Sequence, residues 1–173
     1  MRLASNVIDA LSRSPLLASI GTQWQLVTDQ VMGGVSRGTL VHETVGGRPA
    51  IHLRGSVSLE NDGGFVQMGL DLAPDGSTVD ASKWIGLELD VFGNGEEYNL
   101  HIRTSDLTRP QQSYRQSFKA DSIWQTVRLP FNRFRPHRTD VPLDVSRLRR
   151  VGLVAIGRVF SADIALGGMR FIA

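Results

Sequence analysis

Apolar and polar positions alternate along most of this chain, in short runs broken by glycine, proline and polar turn residues. After residue 20 no stretch keeps a long helical period. The alternation predicts strands over 23–28, 38–43, 49–55, 64–72, 84–92, 98–105, 113–119, 123–129, 151–157 and 163–172. Short strands at such spacing indicate an all-β sandwich or barrel. The residues around 144–150 read as a helical turn before the penultimate strand. At the start of the chain Leu3, Val7 and Leu11 recur at helical spacing, so residues 3–12 are expected to form a short amphipathic helix docked on the domain. A surface contact with a membrane through that helix, flanked by Arg2 and Arg13, is the alternative. The expected organisation is a helical segment over 1–20 and one β domain over 21–173, with no repeat or linker.

One pair of strands can be read in detail. In IGLELDVFGNGEEYNLHIRTS the apolar residues Leu87, Leu89 and Val91 stand on odd positions, and Tyr98, Leu100 and Ile102 on even ones. A two-residue Asn94-Gly95 turn suits a type I′ hairpin, because both residues tolerate positive φ. It would pair Val91 with Tyr98, Leu89 with Leu100 and Leu87 with Ile102. Asp90 would then face Asn99, Glu88 would face His101, and Arg103 would lie diagonal to Glu88. The expectation is therefore a core face and a polar strip of Glu88, Asp90, Asn99, His101 and Arg103. That strip is either a solvated outer face or the floor of a ligand groove. An exposed tryptophan beside it would favour the groove, but Trp24, Trp84 and Trp124 each sit in apolar strands and read as core.

Composition narrows the classes. A chain of 173 residues buries roughly 70% of its extended-chain surface, enough for a real core. It has no cysteine, which removes disulfides, thiolate metal sites and cysteine nucleophiles, and fits a reducing compartment; the cytoplasm is expected. No apolar run reaches the ~18 residues that span a bilayer, and Asp9 and Arg13 interrupt what would be a signal peptide's apolar stretch. The net charge of +2 conceals a split. Residues 109–150 hold ten Lys or Arg against three acids, while the rest of the chain holds nine against fourteen. The basic stretch, with Arg133, Arg135, Arg138, Arg147, Arg149 and Arg150 among Phe131 and Phe134, has an interface composition. It is either a protein-binding surface or ordinary solvated surface around core phenylalanines. RNA or anionic lipid is a weaker reading of the same stretch, with nucleic acid the least favoured partner.

Catalytic signatures are missing. There is no nucleophile elbow, no zinc-protease helix, no phosphate loop and no dinucleotide fingerprint. His42, His52, His101 and His137 have no ligand spacing, and His52 and His101 read as surface residues. Asp29, Asp62 and Asp75 could offer oxygens to calcium, but no EF-hand pattern surrounds them, so no metal or cofactor is assigned. The expectation is a protein that is not an enzyme.

Two stretches remain, WQLVTDQVMGGVSRG and GSVSLENDGGFVQM. Each sets a short acid or amide before adjacent glycines: Asp29 before Gly33 and Gly34, Asn61 and Asp62 before Gly63 and Gly64. Adjacent glycines permit positive φ or close backbone approach. Carboxylate, amide and the Ser36 hydroxyl can accept from the exposed N–H groups. Met32 reads as a plug for an irregular core gap. Two readings stand: a pair of braced turns, or a small anion- or ligand-binding nest built from the same N–H groups.

These two stretches resemble the complex I intermediate-associated protein 30 family, whose pattern is a Trp, then Asp-x-Val-Met-Gly-Gly-x-Ser, then a strand leading into Glu-Asn-x-Gly-Gly-Phe. The matching residues are Trp24, Asp29, Val31, Met32, Gly33, Gly34 and Ser36, then Glu60, Asn61, Gly63, Gly64 and Phe65. The resemblance continues through WIGLELDVFGNGEEYNLHIRT, WQTVRLPFNRFRP and LRRVGLVAIG, and covers roughly residues 22–172. It implies a galactose-binding-like jelly-roll β-sandwich. Mitochondrial members act as assembly factors for respiratory complex I, other relatives of the fold bind carbohydrate, and plant relatives carry the domain beside dinucleotide-binding domains. The resemblance thus implies a non-enzymatic assembly or chaperone-like module whose partner is a respiratory-complex subunit or assembly intermediate. A stand-alone bacterial-type member is expected, and a carbohydrate-binding module is the alternative.

Overall fold

Alternation of side chains across a pleated strand puts one face on the core and the other on solvent, and every strand that this pattern predicts forms. The computed structural model describes residues 3, 5–12 and 15–173. In chain order the strands are β1 (Val7–Asp9), β2 (Gln25–Thr28), β3 (Arg37–Val45), β4 (Arg48–Val57), β5 (Phe65–Asp71), β6 (Gly86–Phe92), β7 (Glu96–Thr104), β8 (Ser113–Ala120), β9 (Gln125–Pro130), β10 (Arg135–His137), β11 (Leu148–Ile156) and β12 (Phe160–Ile172). They make two antiparallel sheets. The first runs β3-β4-β12-β6-β9, with β1 added beside β12. The second runs β10-β8-β7-β11-β5-β2. Among the described residues only β3–β4 and β7–β8 pair as consecutive strands; β10 and β11 share the second sheet with β8 and β7 between them, and every other step crosses from one layer to the other. The helical turn expected near 144–150 is a 3₁₀ turn at Val145–Arg147, capped by the Asp144 side chain, and its tail is already β11.

The core lies between the layers. Leu87, Leu89 and Val91 of the first sheet and Tyr98, Leu100, Ile102, Val151 and Leu153 of the second are all fully buried. Each such aliphatic side chain contributes about 1.5–3 kcal/mol of transfer free energy.

Two expectations are corrected here. The described residues of the 3–12 segment hold no helix. Val7 and Asp9 pair with Arg170 and Met169, on the flank of β12 that β4 leaves open beyond Leu166. Asn6 closes the ladder, its carbonyl accepting from the Phe171 N–H at 2.8 Å. An isolated helix this short is marginal in water, whereas the bare end of β12 offers backbone groups that must find partners. Leu11 takes a left-handed φ of 57°, which no helix would allow. The residue that seemed to break the apolar run explains the choice: buried Asp9 accepts from the Trp24 indole at 2.8 Å and from the Leu11 N–H at 2.9 Å. Arg2 and Arg13, the basic flanks of the expected helix, lie outside the described residues.

The second correction concerns β6 and β7, which do not form a hairpin. β6 pairs with β9 and β12, and β7 with β8 and β11, so the two strands face each other across the core. The Gly93–Gly95 corner is an arch between layers, tied by the Gly93 and Gly95 N–H groups to the carbonyls of Asp121 and Ala120 and by the Asn94 amide to the Ser161 carbonyl. Parity fixed which side chains point inward. It did not fix whether the next strand lies beside or opposite, since both arrangements bury the same residues.

Candidate functional site

The two Gly-Gly loops meet around one carboxylate. Asp29 opens a 3₁₀ turn, Asp29–Met32, whose N-terminus is capped by the Thr28 hydroxyl and which ends at Gly33 with φ 85°. Its side chain is fully buried. It accepts from the N–H groups of Ser36 (2.9 Å), Gly64 (2.6 Å) and Phe65 (3.3 Å), and from the Ser36 hydroxyl. Ser36 Oγ in turn accepts from the Ser58 N–H at 2.9 Å, and the Asn61 amide donates to the Gly33 carbonyl at 3.2 Å. Burial pushes the Asp29 carboxyl up, but hydrogen bonds from the Ser36 hydroxyl and the Gly64, Ser36 and Phe65 N–H groups outweigh it and hold the carboxyl below its ordinary value.

Glycine is required on both sides of this carboxylate. A Cβ on Gly34 or on Gly63 would stand 2.5 Å from Asp29 side-chain atoms. The spacing of residues suggests a separate brace for each loop, but Asp29 serves both. Asp62 is exposed, at φ 57°, and its side chain makes no hydrogen bond or ion pair among the described residues. The donors that a nest would have turned on a ligand are spent on Asp29. Asp29, Asp62 and Asp75 do not converge, and no set of three metal-ligating side chains occurs among the described residues.

Met32 does not plug the core. It is 55% exposed, and Val31 is 74% exposed. Val35 and Leu59, in the same pair of loops, are also exposed. A groove of about 630 Å³ runs beside them, lined in part by Leu26, Val31, Arg37 and Gly38. It sits where β2 and β3 bring the open edges of the two sheets together. The rigid corner thus displays apolar side chains in water, the reverse of the usual arrangement.

The expected polar strip is split between the two outer faces. On the first sheet, Glu88 and Asp90 belong to a closed ionic network. Arg170 donates to Glu88 (2.7 Å) and Asp90 (3.0 Å), Arg128 lies 3.0 Å from Glu88, and Arg48 and Thr126 bind Asp90 at 3.2 and 2.9 Å. Burial raises the Asp90 carboxyl, and the bonds from Arg170, Thr126 and Arg48 bring it below its ordinary value. In the same sheet, His52 of β4 is buried, not at the surface. Its Nδ1 lies 3.0 Å from Glu43 and its Nε2 2.5 Å from Asp163.

None of the three tryptophans offers a bare ring. Trp24 is in the core. Trp84 stacks on Phe171 at 4.5 Å with Lys83 over it, and Trp124 carries Arg48 at 4.6 Å and donates to the Val45 carbonyl.

Asn99, His101 and Arg103 lie on the outer face of the second sheet. Arg103 Nη1 donates to the carbonyls of Arg109, Pro110 and Gln112, stapling that loop. His101 is half-buried, with its Nε2 shielded from solvent, and not an exposed residue. Burial, then the proximity of His137 and Arg115, pushes its imidazole down to about 3, and its Nε2 has no partner.

The arginines of the basic stretch divide. Arg147 is bound to Asp106 (2.9 Å) and Asp144 (3.6 Å), and Arg150 to Asp71 (2.8 Å). Arg149 and Arg138 are exposed and form no ion pair, Arg138 at φ 58°. Arg133 and Arg135 line a groove of about 780 Å³ together with Arg115, Arg158, Asn99 and Glu97. Arg115 and Arg158 were not singled out from the sequence. Alternation with Tyr114 and Phe118 marks Arg115 as outward-facing, but its neighbour β10 was not predicted, because Pro136 hides that strand.

No helix among the described residues is long and apolar enough to cross a membrane. The family described as Complex I intermediate-associated protein 30 (CIA30) matches residues 18–166. No curated protein sequence matches the chain. Among solved structures, the family 11 carbohydrate-binding module of the cellulosomal cellulase Lic26A-Cel5E of Clostridium thermocellum is similar with a TM-score of 0.75 at 15% identity, over 99% of this chain and 95% of that one. The family 11 module of the same organism in complex with a β-1,3-1,4-mixed-linked tetrasaccharide gives 0.74 at 18% identity, over 98% and 95%. The family 30 module of the cellulosomal cellulase Cel9D-Cel44B, also from Clostridium thermocellum, gives 0.65 at 16% identity, over 99% and 98%. At these identities the likeness establishes the jelly-roll-like sandwich and nothing further.

Proposed function

Because the chain belongs to the complex I intermediate-associated protein 30 family, we propose that it is a non-catalytic protein-binding module that serves the assembly of a respiratory complex of the complex I type. Its partner on this reading is a subunit or an assembly intermediate. The observation that carries it is the braced double loop: a buried carboxylate and close-packed glycines hold a corner rigid, and that corner exposes Val31 and Met32. A rigid apolar knuckle loses little conformational entropy on docking, and each side chain buried contributes about 1.5–3 kcal/mol. The chemistry around it supports binding over turnover. Buried His52 is held by two carboxylates and has no hydroxyl among its partners. The cysteine-free chain suits the cytoplasm.

The test is crosslinking with mass spectrometry in the native host, scored for respiratory-complex subunits, with wild type beside the Val31→Asp/Met32→Asp variant. Wild type should capture such subunits and the variant should lose them while its thermal midpoint is unchanged. Equal capture by both would remove the loop from the interface.

A second reading, a carbohydrate-binding module, draws on the open polar groove on a sheet face and on the modules that share the fold. It lacks an aromatic platform, since the groove lining has none and the tryptophan rings are covered. A glycan array should therefore be blank. Specific retention of a neutral oligosaccharide would restore this reading.

A further inference from the structure

The groove on the outer face of the second sheet carries a positive charge that the protein does not neutralise. Arg115 of β8 and Arg135 of β10 are directly opposed across the strand pair. Like charges in that position repel, and a fold usually places a carboxylate between them. None is there. Among the described residues Arg115, Arg133 and Arg135 form no ion pair, although Arg147, Arg150, Arg158 and Arg170 all do. The positive field reaches inward as well: beside the burial of both rings, Arg115 helps to hold the imidazoles of His101 and His137 below their ordinary value. The lining also offers the Asn99 amide and the Ser117 hydroxyl.

We propose that this groove binds an extended acidic peptide segment of the partner protein, whose carboxylates pair with Arg115, Arg133 and Arg135. The inference rests on the protein-binding reading above and adds a second, electrostatic contact to the apolar knuckle. Charge complementarity selects an anion, and guanidinium groups suit carboxylates because they can donate two parallel hydrogen bonds. A sugar polymer or nucleic acid would want an aromatic surface for its rings or bases, and the lining has none. Glu97 also stands in the groove. It opposes a continuous phosphate backbone and can be avoided by a peptide whose acids are spaced apart.

The experiment uses the full chain and a fluorescein-labelled peptide of alternating glutamate and serine, read by anisotropy at low and physiological salt. Wild type should bind, with affinity falling as salt rises. Arg115→Gln and Arg135→Gln should each weaken binding by about tenfold, as expected for loss of a charge-assisted hydrogen bond, and the double variant should abolish it. Their thermal midpoints should be unchanged or raised, because removing one of two facing like charges relieves repulsion. No binding at low salt, or binding indifferent to the double variant, overturns the proposal. Tighter binding of polygalacturonate or of an oligonucleotide through the same arginines overturns the choice of peptide. If the arginine variants capture the cellular partner as well as wild type while the Val31→Asp/Met32→Asp variant does not, this inference falls and the protein-binding reading stands.

Discussion

Asp29 is the residue on which the signature region turns. Four donors from two loops converge on its carboxylate, so Asp29→Asn leaves several buried N–H groups without a full acceptor. The expected loss is about 3 kcal/mol, measured by chemical denaturation. Gly34→Ala should cost about 1–3 kcal/mol through the same contact. In an Asp29→Ala background that cost should shrink, since the carboxylate that the new methyl meets is gone. The lowered Asp29 carboxyl also gives a pH signature. Its stabilisation is present above the ordinary carboxylate value and is lost as pH falls through the depressed one, so wild type and Asp29→Asn should converge in stability in strong acid.

His101 supplies a second signature at the same scale. Its folded-state value of about 3 lies below the ordinary value of 6.5. As pH falls between those limits the unfolded chain takes up a proton that the buried imidazole refuses, and the fold loses stability. Thermal midpoints of His101→Gln should therefore decline less steeply from pH 6.5 downward than those of wild type. A parallel decline would contradict the burial of the ring.

At the scale of elements, the informative case is β6 and β7. The inward residues were right and the neighbours were wrong. A double-mutant cycle distinguishes the two arrangements. Glu88 and Arg170 share a contact, so Glu88→Ala and Arg170→Ala should couple by about 0.5–1 kcal/mol. Glu88→Ala and His101→Ala should add within about 0.5 kcal/mol, since those side chains lie on opposite outer faces of the sandwich. The short edge elements make the same point. β1 and β10 have three residues each, too few for periodicity to register, and each exists because a longer strand left part of its backbone unpaired.

For the whole molecule, the two layers leave two surfaces with unmet needs: an apolar corner where the open edges of both sheets meet, and an arginine groove on the second sheet. Neither is part of the core. Changes at Val31 and Met32 should accordingly leave folding stability within about 0.5 kcal/mol of wild type while altering what the protein holds. A large drop in thermal midpoint would mean that these side chains pack in the fold after all.

The alternation of apolar residues determined the strands and which side chains enter the core, because the two-residue period of a strand is local. The spacing of acid, amide and glycine marked the two loops, because only glycine permits such close backbone approach. What the sequence could not settle was contact between distant segments. One carboxylate serves both loops because Asp29 and Gly64 meet in space. The polar strip divides because β6 and β7 face each other across the core. His52 is buried, His101 is half-buried with its Nε2 covered, and Met32 is bare, because neighbouring strands and loops cover the first two and leave the third in water. Those outcomes depend on which strand lies beside which, and that is decided by packing and backbone hydrogen bonding over the whole chain.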